Sequence, residues 1–235
     1  FVRAIRRKIT VSFSKVLPIR DSNKKEDTMD VDRFKKLPIM GILRGVEASM
    51  IEPLVESVVS AGLETIEITM NTKGAPRLIE SMVKASKKRL VIGAGTVLTM
   101  DDMYAALNAG AKFIVLPTLV NDIVKHCVKN KIPVFPGALT PQEIYNAYLA
   151  GATMVKVFPA KFFGPDYFKE IKGPFDKIEL LACGGVTPKN IKSFFSLGAS
   201  AVAFGGSVFK KDWLSRGEFS HIEESIKALI KGFKS

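Results

Sequence analysis

The sequence predicts an α/β protein: a single (β/α)8 TIM barrel with a short N-terminal helix. Eight short apolar, β-branched runs begin 20 to 26 residues apart, the spacing of one strand–helix unit. Segments with helical periodicity separate these runs, and several of them end in glycine, which favours the left-handed C-cap of a helix. A chain of 235 residues is also the length of one such barrel.

The eight predicted strands are almost uniformly apolar, which is typical of parallel strands buried on both faces. In chain order they are Ile39–Leu43, Thr65–Met70, Leu90–Val97, Phe113–Pro117, Pro133–Leu139, Met154–Pro159, Lys177–Cys183 and Ala201–Gly205. The predicted helices include Met50–Ala61, Met103–Ala109 and Pro141–Ala150. An open doubly wound sheet is the alternative, but residues 41–45 lack the glycine-rich nucleotide loop that often follows its first strand.

Residues 1–28 differ from the rest, with eight basic against three acidic side chains. We expect them to form a disordered basic leader, outside a folded barrel domain over residues 29–235. The leader lacks the apolar core of a secretory signal but has the composition of an organelle transit peptide. An upstream extension without a targeting role is the alternative. The expected location is the cytoplasm, or an organelle if the leader is a transit peptide.

Composition excludes several classes of function. The net charge of +12 is spread among interleaved acids, without a basic stripe carrying aromatic residues, so we expect no nucleic-acid partner. Two cysteines and two histidines exclude a disulfide scaffold and a histidine-rich metal site. No segment is long and apolar enough to predict a membrane span, so no membrane partner is expected.

Lys156 is the most informative residue, because it interrupts an apolar strand at a point where barrels carry their active sites. Strand alternation places Met154, Lys156 and Phe158 on one face. Desolvation favours the neutral amine, which is the form that attacks a carbonyl. A buried lysine paired with a carboxylate for structural reasons is the alternative interpretation.

Glu67 interrupts another apolar strand in the same way. A carboxylate there serves either as the ion-pair partner of Lys156 or as a general acid–base. A lysine for imine formation beside a carboxylate for proton transfer is the minimum set for a Schiff-base aldolase. Glycine pairs end strands seven and eight, at Gly184–Gly185 and Gly205–Gly206, where such barrels commonly bind phosphate.

Five motifs together resemble one known family. They are Ile66-Glu-Ile-Thr, Gly93-Ala-Gly-Thr-Val97, Pro136-Gly with Thr140-Pro-x-Glu143, Lys156-Val-Phe-Pro-Ala160 and Cys183-Gly-Gly-Val. In this order and spacing they are similar to the class I 2-keto-3-deoxy-6-phosphogluconate (KDPG) and 4-hydroxy-2-oxoglutarate (KHG) aldolases. The resemblance extends from about Val31 to Gly232 and leaves out the leader.

The resemblance implies a homotrimeric barrel that cleaves a 2-keto-3-deoxy acid, with KDPG as the first expectation, to pyruvate and an aldehyde, without a metal or other cofactor. Lys156 matches the Schiff-base lysine and Glu67 the general acid–base. The expected substrate-binding residues are Arg44, Asn71, Thr96, Pro117, Phe158, Gly184, Gly185, Gly206 and Ser207. Thr96 matches a pyruvate-carboxylate contact, Pro117 and Phe158 match wall positions, and the glycines with Ser207 match phosphate-binding turns.

Two departures from the family pattern concern substrate choice. Asn71 stands where many members have arginine, and Cys183 where many have threonine. KHG and related 2-keto-3-deoxy acids therefore remain alternative substrates. A different phosphate-binding barrel, such as an epimerase or isomerase, would not need Lys156. A barrel that binds phosphorylated metabolites without catalysis would need neither Lys156 nor Glu67.

Overall fold

A computed structural model describes residues 28–235, and the predictions for the leader, other than for Thr28, lie outside the described residues. Within this range one sheet contains nine parallel segments. They are β1 Ile39–Leu43, β2 Thr65–Thr69, β3 Val91–Gly95, β4 Ile114–Val115, β5 Val134–Phe135, β6 Gly137–Ala138, β7 Val155–Val157, β8 Leu180–Cys183 and β9 Ala201–Phe204.

The sheet closes at the short segments β5 and β6. These lie at the two ends of the strand order but are separated in the chain only by Pro136, which has no N–H to donate to a ladder. The Phe135 carbonyl accepts from Leu116 N on one side, and the Pro136 carbonyl accepts from Lys156 N on the other. The two segments are therefore one barrel strand, and the predicted (β/α)8 barrel is confirmed.

Helices cover the outside of this barrel over residues 28–235. They are α1 Val31–Lys36, α2 Ile51–Ser60, α3 Ala75–Ser86, α4 Met100–Asn108, α5 Asn121–Lys129, α6 Pro141–Leu149, α7 Asp166–Lys172, α8 Ile191–Ser196, α9 Lys211–Arg216 and α10 Phe219–Lys234, with 3-10 turns at Ala48–Met50 and Ala160–Phe162. None of the helices in this part of the chain is long and apolar enough to cross a bilayer.

The strands are shorter than their apolar runs predict. Of the predicted strand over Phe113–Pro117 only Ile114–Val115 is a strand, and Pro136 divides the run 133–139. Apolar character extends beyond the strands because residues at strand ends still face the barrel interior or the helices. Phe113 and Leu116, for example, are fully buried although both lie outside β4.

Helix α1 covers the end of the barrel where the strands begin. Met29 N donates to the carbonyl of Lys112, just before β4. The Phe34 ring packs edge-on against Phe135 with centroids 6.2 Å apart, and Phe135 packs likewise against Phe113 at 5.9 Å. These side chains belong to a buried cluster that fills this end of the barrel interior. The predicted N-terminal helix is thus the plug of the barrel.

Candidate active site

Lys156 points into the barrel from the middle of β7. Val155 and Val157 pack in the outer core between sheet and helices, whereas Met154 belongs to the interior cluster, so the predicted alternation is confirmed. The side chain of Lys156 is buried, with 6% of the residue exposed. Its Nζ lies 5.4 Å from the ring centroid of Phe158, which is partly exposed beyond the strand end. The amine therefore sits just below the barrel mouth.

Glu67 enters the same interior from β2 and occupies space provided by a glycine of the neighbouring strand. Only 1% of the surface of Glu67 is exposed to solvent. A Cβ built on Gly95 would lie 2.2 Å from Glu67 Oε1, so no larger residue fits there. Gly93 makes room in the same way for the Phe113 ring, at 2.3 Å. The glycines of the motif at 93–97 thus accommodate a carboxyl group and a ring inside the barrel.

Within residues 28–235 the carboxyl group of Glu67 has no hydrogen-bond or ion-pair partner. Both of its oxygen atoms are buried without a hydrogen bond, and no ion pair within 4.0 Å joins it to Lys156 in the described part of the chain. Burial raises the pKa of Glu67, and this effect outweighs the opposing charges of Lys156 and Arg44. A carboxyl group left in this state is not a structural ion pair. It is suited to exchange protons with a bound molecule.

Cys183 completes the interior around Lys156. Its thiol is buried at the end of β8, and burial raises its pKa, opposed by the nearby charge of Lys156. A neutral thiol is therefore expected there, which makes Cys183 a weakly polar wall rather than a nucleophile.

Arg44 and Thr96 meet at the mouth above Glu67. Arg44 Nη2 donates to Thr96 Oγ1 at 3.4 Å. Thr96 has φ of 54°, a left-handed conformation that turns the chain sharply after β3. These two residues, which follow β1 and β3, are brought together by the barrel.

A buried pair of threonines supports the loop after β1. Thr69 and Thr72 hydroxyls lie 3.0 Å apart, and Thr72 Oγ1 accepts from Gly45 N at 3.0 Å. Thr69 is the last residue of β2 and belongs to the motif that begins at Ile66, whereas Thr72 gives no sequence signal beyond following the strand. The pair ties the loop carrying Arg44 to the end of β2.

The glycine turns after β8 and β9 lie side by side at the mouth. Ser207 Oγ donates to the carbonyl of Val186 at 2.9 Å, which joins the two turns. Gly184 and Gly185 have φ of 95° and 80°, in the region that favours glycine. Among residues 28–235, the backbone N–H groups of Gly184, Gly185, Gly206 and Ser207 donate to no protein acceptor. This is the arrangement expected of an anion-binding nest.

The remaining predicted residues lie around this mouth with different exposure. Asn71 is exposed and has no hydrogen bond within the described chain. Pro117 is half-buried, and its carbonyl oxygen lies 2.2 Å from where a Cβ of Gly137 would be, so Gly137 lets these two strand ends approach closely. Phe158 is 41% exposed beside Gly184.

Thr140 is a helix cap. Its hydroxyl accepts from Glu143 N at 3.3 Å, while Glu143 Oε2 accepts from Thr140 N and Leu139 N at 2.8 and 2.9 Å. These bonds hold the pKa of Glu143 below its usual value. The motif at 140–143 therefore begins α6 as a capping box.

The barrel mouth thus combines a buried amine, an unpaired carboxyl group and free backbone N–H groups, which is a combination suited to an enzyme whose substrate carries a carbonyl and an anionic group. Residues 31–225 match the profile of the KDPG and KHG aldolases. The chain belongs to this family and is an enzyme of the aldolase class, a carbon–carbon lyase.

Individual relatives agree with this assignment. The 2-dehydro-3-deoxy-6-phosphogalactonate aldolase of Escherichia coli is 34% identical over 177 residues, covering 74% of this chain and 86% of the relative. A solved structure described as native KDPGal superposes with a TM-score of 0.79 at 30% identity, covering 85% of this chain and 95% of that one. The KDPG aldolase of Legionella pneumophila, with pyruvate captured as a covalent carbinolamine, gives 0.76 at 25% identity, with coverages of 82% and 93%.

Proposed function

We propose that this protein is a class I aldolase that cleaves KDPG to pyruvate and glyceraldehyde 3-phosphate. The observation that carries the proposal is the pair of buried groups, Lys156 and Glu67, which face one barrel interior without forming an ion pair. The carbinolamine captured in the Legionella pneumophila relative supports covalent chemistry at an equivalent amine.

In the proposed reaction the amine form of Lys156 attacks the C2 ketone of the substrate. The resulting carbinolamine loses water and becomes a protonated imine, which withdraws electrons from the C3–C4 bond. Phe158 lies against the amine and, with Pro117, is proposed to form the wall beside the imine. Their apolar surfaces would keep bulk water from the intermediate.

Glu67 is proposed to move the protons. As a carboxylate it takes the C4 hydroxyl proton, directly or through a water, while the C3–C4 bond breaks and the aldehyde leaves. It then returns a proton to C3 of the enamine, and hydrolysis of the imine frees pyruvate and Lys156. Its raised pKa fits both roles, because a group that titrates closer to neutrality can accept and return the same proton.

The acid end of the substrate is assigned to the Arg44–Thr96 corner. The Thr96 hydroxyl can donate to the pyruvate carboxylate while Arg44, already within 3.4 Å of that hydroxyl, supplies positive charge. Asn71 has free amide groups close to the end of β2 and is proposed as a further contact at this end.

The phosphate is assigned to the glycine turns. Within the described part of the chain, the N–H groups of Gly184, Gly185, Gly206 and Ser207 have no acceptor, and phosphate oxygens are suitable acceptors for several of them at once. No metal or other cofactor takes part in the proposed reaction.

A second candidate substrate is the C4 epimer, 2-keto-3-deoxy-6-phosphogalactonate. The observation that favours it is the 34% identity to the Escherichia coli enzyme that carries this name. KHG and unphosphorylated 2-keto-3-deoxy acids share the same cleavable bond and are further candidates. Comparing kcat/KM for KDPG, its C4 epimer, KHG and unphosphorylated 2-keto-3-deoxygluconate would rank them as substrates. A preference for an unphosphorylated acid would remove the phosphate assignment while leaving the aldolase chemistry.

We also propose that the protein is a homotrimer. Large apolar side chains on neighbouring helices α5 and α6 are exposed, including Leu149 at 63%, Val128 at 45% and Tyr148 at 41%. Burial in a subunit interface would remove this apolar surface from water. Light scattering after size exclusion should give about three times the 25.7 kDa of one chain, whereas a monomer mass would contradict the proposal.

Reductive trapping tests the central proposal. Incubation with pyruvate and borohydride should reduce the imine and leave a stable adduct, which peptide mass spectrometry should locate on Lys156. An adduct on another lysine would reassign the nucleophile. The absence of any adduct would favour a barrel that binds metabolites without this chemistry.

A further inference from the structure

Lys161 stands next to the glycine turn after β8 and is absent from every motif of the sequence analysis. It follows Lys156 by five residues, in the 3-10 turn Ala160–Phe162 that leaves β7. Its side chain is exposed at the barrel mouth. The chain here passes from the catalytic interior to the rim within one short turn.

The contact between Lys161 and Gly185 is close. A Cβ built on Gly185 would lie 2.5 Å from Lys161 Cβ and 3.2 Å from its Cα. The residues that precede Gly185 and Lys161 are also close, since a Cβ built on Gly184 would lie 3.7 Å from Ala160 N. The stem of Lys161 therefore rises directly beside the glycine turn, within a lysine side chain's length of its free N–H groups.

The ammonium group of Lys161 has no carboxylate partner among residues 28–235. Its Nζ lies 4.9 Å from the ring centroid of Phe162, and that ring is 72% exposed. A cation held only by an exposed aromatic face is weakly held and remains hydrated. It can swing to a stronger partner, such as a phosphate oxygen, without breaking an ion pair.

We propose that Lys161 is an additional phosphate-binding residue, which closes over the glycine turns and selects phosphorylated substrates. The inference rests on the proposed function only in placing a phosphate at these turns. The neutral N–H groups of Gly184, Gly185, Gly206 and Ser207 would orient the dianion. Lys161 would supply the positive charge that they lack, as a compact ammonium on a flexible stem.

The test compares three single variants of the full chain. Lys161→Ala removes the charge, Lys161→Arg keeps it, and Lys129→Ala removes an equal charge at the last residue of α5, at the opposite end of the barrel. For KDPG, K161A should raise KM by roughly tenfold, the lower end for losing a hydrogen bond to a charged group. K161R and K129A should stay near wild type, and cleavage of unphosphorylated 2-keto-3-deoxygluconate should be unchanged in all three.

A second measurement separates this inference from the aldolase proposal. Binding of inorganic phosphate, followed by ³¹P NMR, needs no catalysis and should weaken roughly tenfold in K161A but not in K129A. Equal phosphate binding and equal KM in K161A and K129A would overturn the role of Lys161. If the wild type binds no phosphate, the inference also falls, whereas the Schiff-base chemistry is judged separately by borohydride trapping.

Discussion

The two ends of the barrel interior are built from the same strands but are finished in opposite ways. At the end covered by α1, Phe34, Phe113 and Phe135 pack edge-on in an apolar cluster. At the open end, within residues 28–235, Glu67 is buried without a hydrogen-bond partner and Lys156 without an ion pair. The covered end is filled with apolar side chains, whereas the open end contains buried polar groups that a ligand could contact. We therefore expect stability and chemistry to depend on opposite ends of the barrel.

Replacing Lys156 should have the largest effect of the changes considered. It should reduce activity at the open end without reducing the stability of the barrel. Lys156→Ala removes the proposed electron sink, so aldol cleavage should fall at least about 10⁴-fold, the scale seen when a covalent nucleophile is removed. The circular dichroism spectrum and Tm should stay near wild type. Lys129→Ala is the matched control, and substantial residual cleavage in K156A would place the nucleophile elsewhere.

Glu67→Gln should separate imine formation from proton transfer. The variant should still be trapped by borohydride with pyruvate, but turnover should fall by about 10² to 10⁴, the usual contribution of a positioned acid–base. Exchange of the pyruvate methyl protons in D₂O is the sharper measurement, because it reports proton transfer alone. Exchange at the wild-type rate would assign that transfer to another group.

Phe34→Ala should destabilise the end of the barrel that α1 covers. Removing a fully packed ring should cost about 3–5 kcal/mol in the free energy of unfolding, measured by denaturant titration. Phe34→Leu should cost less, since it leaves a smaller cavity. Below the transition, kcat for both variants should match wild type. A large loss of kcat without a loss of stability would show that the plug also organises the mouth.

Two glycine substitutions should sharpen the assignment of the phosphate end. Gly185→Ala places a Cβ against Lys161 at a φ of 80°, whereas Gly206→Ala meets no atom within 4 Å. G185A should therefore lose roughly tenfold in kcat/KM for KDPG, through a displaced turn and ammonium group, and G206A much less. Both should retain pyruvate proton exchange. Equal losses in the two variants would argue against the geometry at Gly185.

The pH dependence of stability tests the protonation state of Glu67. Of the predicted effects, this one should be the smallest. Burial raises its pKa above the ordinary value of 4.5, so the folded state keeps a proton that the unfolded chain releases. The contribution of Glu67 to wild-type stability should therefore fall as pH rises from 4.5 through its folded pKa. E67Q cannot titrate, so its Tm relative to wild type should rise with pH. The opposite trend would indicate an ion pair with Lys156.

Sequence pattern predicted much of the site because barrel geometry leaves few choices. A charged residue in an apolar strand must face either the helices or the interior, and alternation placed Lys156 with Met154 on the interior side. Glu67 follows the same argument. The apolar pattern did not give the strand lengths, because burial continues beyond the ends of the strands, as at Phe113 before β4.

Other features depend on contacts between residues distant in the chain. The roles of Gly93 and Gly95 follow from Phe113 and Glu67, which the closed barrel brings over them from other strands. Thr140 stands at a strand end like a site residue, yet its hydroxyl caps α6. Lys161 carries no signal of its own until Gly185 is placed against it.

The sequence by itself determined the fold class, the family and the two charged residues that face the barrel interior. Hydrophobic periodicity and residue type are local properties of the chain, so they can be interpreted without knowing how the segments pack. Only the tertiary structure decided that Glu67 is left unpaired, that Arg44 meets Thr96, and that α1 closes one end. Each of these is a distance between segments far apart in the chain, which depends on how the barrel closes and on the register of its strands.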